Sequence, residues 1–437
     1  MNNTIPNNLI LPFTNADHTK DEVVIERGEG PYLFDVSGKK YLDGSSSLWV
    51  SILGHNHPII TQRITDQARK ISHASLFGGA HTPAIELTQR LLEFMGLPEY
   101  SVFFSNSGSE AIEAAMKMTM DYWREKNESK RKYIVTFENS YHGETSGAMS
   151  VSGFQDHGKM YPHLLLQKLE ARSPVSTVMG KRLATKQKPL DSLDEIIERH
   201  LDEIAAIIVE PAYGAGGILF PDELFLKRVE ALCREHGYLL IVDEVATGFY
   251  RTGTKFCYEA SSVQPDIIVL GKALSAGYLP LSATVAAPKI GELYSRKNRR
   301  PGFMHGHTFS GNPLACSAAL GNIEVLESPD FVDTLQSGIE YFSEKIRSLL
   351  HPSIAETRQK GYFAGIELFD DEKEADWRKA ALDVCNAAKK NGVLIRPLGN
   401  TVVLAPPYIV EQTDIDTLIN TLQEALHTIF HNYRTYE

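Results

Sequence analysis

The middle of the chain alternates short apolar runs with stretches of helical character. The runs have the length of strands, and several are rich in Ile and Val: Tyr133–Phe137, Ile204–Val209, Tyr238–Val242 and Ile267–Leu270. Helical stretches such as Ser109–Lys126 and Pro221–Glu235 accompany them. Strands that are apolar on both faces are typical of a parallel sheet covered by helices on both sides. The pattern therefore predicts an α/β fold with a mostly parallel sheet between helices.

The C-terminal part has a different pattern. Gly361–Leu368, Val393–Arg396 and Thr401–Leu404 have the character of short strands, and Ile415 to Ile429 form one apolar helical face. We therefore predict a large domain over residues 56–325. Residues 1–55 and 326–437 are expected to join as a small α+β domain built from both ends of the chain.

Composition excludes several classes of function. The chain has 44 Lys and Arg against 55 Asp and Glu, a net charge of −11, which argues against a dedicated nucleic-acid or anionic-membrane binder. The four cysteines lie far apart without a Cys-x-x-Cys pair, so neither a disulfide framework nor a zinc or other metal site is indicated. Met1–Leu11 lacks the pattern of a signal peptide, and Gly277 and Pro280 interrupt the best candidate for a membrane span. We expect a soluble, cytoplasmic protein.

Two charged residues follow neighbouring apolar runs. Asp243 comes directly after Tyr238–Val242, and Lys272 follows Ile267–Leu270 and one glycine. Alone, Asp243 could be a helix cap or a loop ion pair, and Lys272 a surface residue. Ligands of doubly wound sheets bind at the carboxyl ends of the strands, where both residues are expected. Together they suit a pyridoxal phosphate site, in which a lysine forms the Schiff base and a carboxylate partners the pyridine nitrogen.

Two further segments follow apolar runs. Ser105–Ala111 is rich in small residues and opens a helical stretch, which suits an anion at a helix N-terminus. A capping box between Ser107 and Glu110 explains the same residues equally well. Tyr141 follows Tyr133–Phe137 and could stack on a planar ring or pack in the core.

Taken together, these residues resemble the class III pyridoxal-phosphate aminotransferases of fold type I. The resemblance extends from about Leu11 to the last helix, and its strongest blocks occur in the family's order: Ser107–Glu110, Tyr141–Gly143, Asp243–Gly253, Gly271–Lys272 and Thr308–Pro313. It implies a large domain with a mostly parallel sheet and a small α+β domain. It also implies a homodimer with shared active sites, since Thr308 would reach the phosphate of the other subunit's cofactor.

The resemblance assigns roles to individual residues. Lys272 would be the Schiff-base lysine and proton carrier, Asp243 would contact the pyridine nitrogen, and Tyr141 would stack on the ring. The phosphate would be held around Ser107, Gly108 and Ser109. His142 and Glu210 match family positions near the cofactor.

Within the class, several stretches look like the 8-amino-7-oxononanoate aminotransferases of biotin synthesis, among them Leu76–Gly79, His305–Phe309 and Ile395–Gly399. That acceptor has a long aliphatic chain ending in a carboxylate, which requires an apolar channel and one fixed cation. We expect Arg396 to bind the carboxylate. Phe13, Trp49 and Tyr141 are the candidates for the channel. Arg251 also matches a family arginine. It could either contact the substrate or form a structural ion pair, and the sequence does not decide between the two roles.

Departures from the family bear on the substrate. Ala215 stands where ornithine- and 4-aminobutyrate-type enzymes have a second glutamate, which argues against those substrates. Members that use S-adenosylmethionine tend to have a Trp-Trp pair and a tyrosine where this chain has Leu48-Trp49 and Phe13. The donor is therefore open between S-adenosylmethionine and lysine. Tyr250 replaces a usual glycine.

The hypothesis is a pyridoxal-phosphate aminotransferase that moves an amino group from S-adenosylmethionine or lysine to 8-amino-7-oxononanoate. Within the fold, the first alternative is another class III ω-aminotransferase acting on a diamine, a β-amino acid or an amine. The second is an aminomutase that needs no external donor. A cofactor-binding protein without turnover is the alternative from another class.

Overall fold

The computed structural model describes residues 5–6, 8–14, 23–153, 160–175, 177–178, 181–182, 189–295, 302–368 and 377–434 of the chain. Parts of the predicted small domain, residues 1–4 and 435–437 among them, lie outside the described residues.

The strands are numbered in chain order: β1 Ile25–Glu29, β2 Tyr32–Asp35, β3 Lys40–Asp43, β4 Ser101–Ser105, β5 Tyr133–Phe137, β6 Leu169–Ala171, β7 Thr177–Val178, β8 Lys181–Arg182, β9 Ile204–Val209, β10 Leu239–Asp243, β11 Ile267–Leu270, β12 Ser282–Ala286, β13 Ile354–Lys360, β14 Phe363–Leu368, β15 Val393–Leu394, β16 Arg396–Leu398 and β17 Thr401–Leu404. The helices are α1 Pro58–Lys70, α2 Thr82–Met95, α3 Gly108–Glu125, α4 Ser146–Ser150, α5 Pro189–His200, α6 Glu223–His236, α7 Pro288–Gly291, α8 Pro313–Leu326, α9 Phe331–Ser348, α10 Trp377–Lys390 and α11 Gln412–Arg434.

The large sheet is mostly parallel. Within the described residues it has seven strands in the order β4-β12-β11-β10-β9-β5-β6. Its pairs are parallel except those of β12, which runs antiparallel to both β11 and β4. Strands β9, β10 and β11 are buried along their whole length, which explains their continuous apolar sequence. The predicted fold class, an α/β protein with a mostly parallel sheet, is confirmed.

The antiparallel strand β12 was not among the predicted strands. Its sequence includes Ser282 and Thr284, yet all five of its residues are buried. The Ser282 hydroxyl donates to the carbonyl of Ser107 at 2.7 Å, and the Thr284 hydroxyl donates to that of Ala111 at 2.8 Å. These bonds satisfy buried hydroxyls and hold the first turn of α3 against the sheet.

The first and last thirds of the chain meet in one smaller sheet, and the last third forms another by itself. β3 pairs with β2 and with β15, so that Leu42 lies beside Val393 in one four-stranded sheet of the described chain. β13, β14, β17 and β16 form an antiparallel sheet in that order. The stretch Val393–Arg396, predicted as one strand, is divided between β15 and β16.

A left-handed turn follows β3. Ser46, Ser47, Leu48 and Trp49 have φ values of 45°, 48°, 75° and 69°. For residues with a Cβ atom, this conformation costs roughly 1–2 kcal/mol each. Four consecutive examples need strong compensating contacts from the surrounding structure.

None of the described helices is both long enough and apolar enough to cross a membrane. Cys233, Cys257, Cys316 and Cys385 are buried, and within the described part of the chain none of them forms a disulfide.

Candidate active site

A cavity of about 190 Å³ lies among residues that follow β3, β4, β5, β9, β10 and β11. It is lined by Trp49, Gly108, Ser109, Tyr141, His142, Gly143, Glu210, Ala215, Asp243, Val245, Ala246 and Lys272. Because the carboxyl ends of parallel strands share one edge of the sheet, residues distant in sequence meet there. Eight of the lining residues, from Trp49 to Lys272, are candidates that the sequence singled out.

Lys272 is held in unusual surroundings. Its φ is 41°, a left-handed value that a residue with a long side chain adopts only where its neighbours impose it. Burial lowers the pKa of Lys272 from its ordinary value, while Asp243 and Glu210 act in the opposite direction. Its Nζ lies 5.1 Å from the centre of the Trp49 ring. The amine is therefore easier to deprotonate than an exposed lysine and lies beside two carboxyl groups.

Asp243 is the last residue of β10. The sequence predicted a position directly after the strand, so the strand extends one residue further than predicted. Its Oδ2 accepts a hydrogen bond from Nδ1 of His142 at 2.7 Å, and its Oδ1 accepts one from the backbone N–H of Val245 at 3.0 Å. Both side chains are buried. Since the carboxylate only accepts hydrogen bonds, this contact fixes the His142 tautomer with a proton on Nδ1.

Glu210 follows β9 and organises the backbone around the cavity. Its two oxygens accept hydrogen bonds from the N–H groups of Tyr141, at 2.7 Å, and Gly214, at 3.1 Å. Burial raises the pKa of Glu210 to about 7; His142 opposes that rise and Asp243 adds to it. The group therefore titrates near neutral pH inside the site.

The N-terminus of α3 lies at another part of the wall. Ser107 caps the helix by accepting from the N–H of Glu110 at 3.3 Å. The Glu110 carboxylate accepts instead from the backbone and side chain of Asn106, so the box is not reciprocal. A Cβ on Gly143 would lie 2.1 Å from Ser109 Oγ, and one on Gly108 would lie 2.9 Å from Val245 Cγ1. Both glycines keep backbone and small polar groups close together, as an anion site requires.

Two aromatic side chains complete the wall. The Trp49 ring packs edge-on against Phe363 with ring centres 5.0 Å apart, and a Cβ on Gly214 would lie 3.0 Å from it. Burial and then the charge of Glu144 raise the pKa of Tyr141 above its ordinary value, so this phenol stays protonated in the neutral range.

These residues fit pyridoxal 5'-phosphate. The cavity offers a helix N-terminus for a phosphate, a buried carboxylate for a pyridine nitrogen and a lysine amine for an aldehyde. Nε2 of His142 is buried and, within the described chain, has no hydrogen-bond partner. An unsatisfied buried polar atom at the wall is consistent with a ligand that completes the site.

Arg251 lies outside this lining. It is 1% exposed and donates to the carbonyls of Tyr362, at 3.1 Å, and Pro406, at 2.9 Å, and to the hydroxyl of Ser46, at 3.2 Å. Burial lowers the pKa of Arg251. Its described contacts tie the turn after β3 to the loop after β17 rather than supplying a cation to the cavity.

The other expected binding residues are not brought to the cavity either. Phe13 is 74% exposed, and Arg396 and Thr308 are also exposed in the single chain. None of these three lines the cavity.

Some residues of the wall were not predicted as site residues. Gly143, Ala215, Val245 and Ala246 contribute backbone and small apolar surface. Gly143 could have been found from its place in the block Tyr141–Gly143. Its φ of 124° explains why a glycine stands at this position. Ala215 was noted only for the family glutamate that it replaces, and Val245 and Ala246 carry no chemical signal in the sequence.

Comparison with known proteins agrees with this geometry. The family model described as aminotransferase class-III matches residues 13–426. A Geobacter sulfurreducens protein named adenosylmethionine-8-amino-7-oxononanoate aminotransferase is 35% identical over 431 residues, which cover 96% of this chain and 95% of that protein. The crystal structure of the protein of that name from Methanocaldococcus jannaschii superposes with a TM-score of 0.89 at 32% identity, covering 96% of this chain and 97% of the other. A PLP-bound amine transaminase from an uncultivated Pseudomonas species also gives 0.89, at 30% identity over 98% of this chain and all of the other.

Proposed function

Because this chain belongs to the class III aminotransferase family and uses pyridoxal 5'-phosphate, we propose that it transfers an amino group to 8-amino-7-oxononanoate to give 7,8-diaminononanoate in biotin synthesis. The observation that carries aminotransfer is that Lys272 and Asp243 line the same cavity. The acceptor is supported by the names of relatives that match along nearly the whole chain. Those names also favour S-adenosylmethionine over lysine as the donor.

We propose the following roles for the chain's own residues. Asp243 would hold the ring nitrogen of the cofactor, with His142 orienting its carboxylate through the 2.7 Å contact. Gly108 and Ser109, with Ser107 as the helix cap, would hold the phosphate, and Tyr141 would cover the ring. When bound, the cofactor withdraws electrons from the substrate's carbon–nitrogen centre, which makes the neighbouring proton removable.

Lys272 would move that proton. The pKa of its amine is lowered by burial, so Nζ can accept a proton from substrate carbon and return it, while the nearby carboxyl groups stabilise the protonated form. Glu210 would fix the backbone at Tyr141 and Gly214, since it accepts hydrogen bonds from both N–H groups. Trp49 excludes water from one side of Nζ, at 5.1 Å from its ring centre.

We propose a homodimer as the working form. Large apolar side chains stand exposed on neighbouring segments: Phe77 at 66%, Ile85 at 53%, Met304 at 84% and Phe309 at 59%. Several of them line a groove of about 790 Å³ that also includes His305 and Gly306. A second copy would cover this surface and bring its Thr308 to the cofactor phosphate.

The remaining proposals concern organisation and location. We propose residues 56–325 as the large domain and 1–55 with 326–437 as the small one, supported by the pairing of β3 with β15. A cytoplasmic location is supported by the four buried cysteines, which form no disulfide among the described residues, as is usual in reducing compartments.

Steady-state assays test the reaction. With 8-amino-7-oxononanoate as acceptor, we expect 7,8-diaminononanoate by mass spectrometry and a higher kcat/KM than with pyruvate or simple ketones. S-adenosylmethionine and lysine, tried in parallel, identify the donor. Absence of the diamine product with every donor would contradict the proposed acceptor.

One observation favours a second candidate, another class III ω-aminotransferase acting on a diamine, β-amino acid or amine. Arg396, which was predicted to bind the carboxylate, is exposed and lies outside the cavity. Among the described residues that line the cavity, Lys272 is the one lysine or arginine. That reaction would give efficient transfer from amines to pyruvate in the same assays, without preference for the amino-oxononanoate.

A further inference from the structure

The position of Trp49 depends on a backbone conformation that its own sequence disfavours. The ring lies in the cavity wall, on the last residue of the left-handed turn Ser46–Trp49. The turn contains no glycine, although each of its residues has a positive φ. Something outside the turn must therefore hold it in place.

Asp43, the last residue of β3, holds the turn directly. It is 1% exposed, and its Oδ1 accepts from the backbone N–H of Ser47 at 2.9 Å. Its Oδ2 accepts from the Ser47 hydroxyl at 2.8 Å and from Nε2 of His55 at 3.1 Å. One buried carboxylate thus bonds the backbone and the side chain of the same strained residue.

A second set of contacts holds the start of the turn. The Ser46 hydroxyl donates to the carbonyl of Ala405 at 2.6 Å and accepts from Arg251 at 3.2 Å. These bonds hold Ser46 against the loop after β17, while Asp43 fixes Ser47. Between them they determine the direction in which Trp49 leaves the backbone.

We propose that Asp43 is a positioning residue for amino transfer: by binding both donors of Ser47 it keeps the turn left-handed and holds the Trp49 ring over the Lys272 amine. Asp43 itself does not line the cavity. The inference rests on the proposed function in one respect only, that the cavity is where substrate reacts.

Replacing the carboxylate tests the proposal. In Asp43→Ala we expect kcat/KM to fall at least about tenfold, because small displacements of a wall residue misalign the substrate. The absorbance band of the lysine-bound cofactor should persist, since Lys272 and Asp243 are intact in this variant. Asp35→Ala is the matched control, because Asp35 likewise accepts from the N–H and hydroxyl of one serine, Ser37, but in an exposed turn. Equal activity of the two variants, within about twofold, would overturn the proposal.

Rescue by glycine separates positioning from a general loss of stability. Leu48 has a φ of 75° and is 44% exposed, so glycine there removes strain without opening the core. Asp43→Ala/Leu48→Gly should recover activity to within about threefold of the wild type. Asp43→Ala/Leu48→Ala removes the same side chain but keeps the Cβ, and it should not recover. Equal behaviour of the two double variants would contradict a role through the turn.

A readout without substrate makes the inference independent of the proposed acceptor. In protein labelled with 5-fluorotryptophan, the Trp49 resonance is the ¹⁹F signal missing from Trp49→Phe. We expect this signal to shift and broaden in Asp43→Ala and to return with Leu48→Gly, whichever substrate the enzyme prefers. If Asp43→Ala does not fold, Ser47→Ala, which removes the hydroxyl bond alone, goes through the same measurements with an expected loss of about threefold. An unchanged Trp49 signal would overturn the inference, whereas a missing diamine product would overturn only the acceptor.

Discussion

At the scale of single residues, Lys272 has two energetically unfavourable features that suit a reactive amine. A left-handed backbone and a desolvated ammonium are both unfavourable, and each is tolerated only because the neighbouring strands fix the site. Burial favours the neutral amine, which is the form that attacks an aldehyde or accepts a proton. Free energy from the rest of the fold is thereby used to keep one side chain reactive.

Lys272→Ala should abolish amino transfer. We expect turnover to fall at least about 10³-fold, since the group proposed to move the proton is removed. The absorbance band of the lysine-bound cofactor should disappear in the same protein. Lys132→Ala is the control, because Lys132 pairs with Glu203 at the start of β5, away from the cavity. Near-normal turnover in Lys272→Ala would remove the basis of the proposed chemistry.

Glu244 should make stability depend on pH. Burial raises the pKa of Glu244 to about 7, with hydrogen bonds from Thr247 and from the backbone of Tyr258 acting against the rise. A raised acid pKa means that the folded state binds the proton more tightly than the unfolded one. The contribution of this proton to the free energy of unfolding is therefore complete below about pH 4.5. It is lost as the pH rises to about 7, which lowers the free energy of unfolding by up to ~3 kcal/mol.

The comparison with Glu244→Gln measures this contribution. From pH 5 to pH 8 the urea midpoint of Glu244→Gln should rise relative to that of the wild type, because the amide carries no titrating proton. Glu235→Gln changes an exposed carboxylate and should show no such trend. A constant difference between Glu244→Gln and the wild type across this range would contradict the assignment.

Residues at the strand ends were predictable from sequence, and residues on loops were not. The apolar runs before Asp243 and Lys272 determine where each strand ends, and parallel strands bring their ends to one edge. Arg251 lies outside such runs, and Arg396 belongs to a short strand outside the large sheet, so sequence alone could not distinguish a cavity position from a buried structural position or a surface position. The burial of Arg251 follows from its contacts with the segments after β13 and β17, which no local pattern encodes.

At the scale of elements, the proposed phosphate end of the site is built where α3 meets the sheet. Hydroxyls of β12 bind the carbonyls of Ser107 and Ala111, which anchors the first turn of the helix. Ser109 Oγ accepts from the N–H of Glu144 at 3.1 Å, which links that turn to the segment after β5. The helix N-terminus is thus fixed from two sides before any anion binds.

Gly143→Ala should weaken cofactor binding. The new Cβ would lie 2.1 Å from Ser109 Oγ, on a residue whose φ of 124° already disfavours a side chain. Displacing Ser109 removes one of the groups proposed to hold the phosphate, and we expect the Kd for pyridoxal phosphate to rise at least about tenfold, or about 1.4 kcal/mol. Gly302→Ala, whose Cβ would meet no atom within 4 Å, should bind normally in the same titration. Unchanged affinity in Gly143→Ala would exclude this part of the proposed phosphate site.

Elements with strong periodicity were predicted closely, and those without it were missed. Tyr133–Phe137, Ile204–Val209 and Thr401–Leu404 have the bounds expected from their apolar runs. Strand β12 was missed because Ser282 and Thr284 interrupt its apolar pattern, although both are buried against α3. The turn Ser46–Trp49 was missed because its conformation is imposed by Asp43 and Arg251 rather than favoured by its own residues.

At the scale of the whole molecule, one chain leaves the proposed site incomplete. Thr308 is exposed and outside the cavity of its own chain, next to Phe309, which is 59% exposed. An exposed apolar surface beside a proposed phosphate contact suits a two-fold interface in which each copy completes the other's site.

Hybrid dimers distinguish sharing from self-sufficiency. Two differently tagged chains, one Lys272→Ala and one Thr308→Ala, are co-expressed and the hybrid is purified. If Thr308 acts across the interface, one of the two sites in this hybrid has both Lys272 and Thr308. About half of the wild-type activity per dimer is then expected. The control hybrid has both substitutions on one chain and a wild-type partner. There the site that retains Lys272 lacks Thr308, and at limiting pyridoxal phosphate the activity should be well below half. If Thr308 served its own chain, the two hybrids would exchange results, because the control would then retain the fully native site.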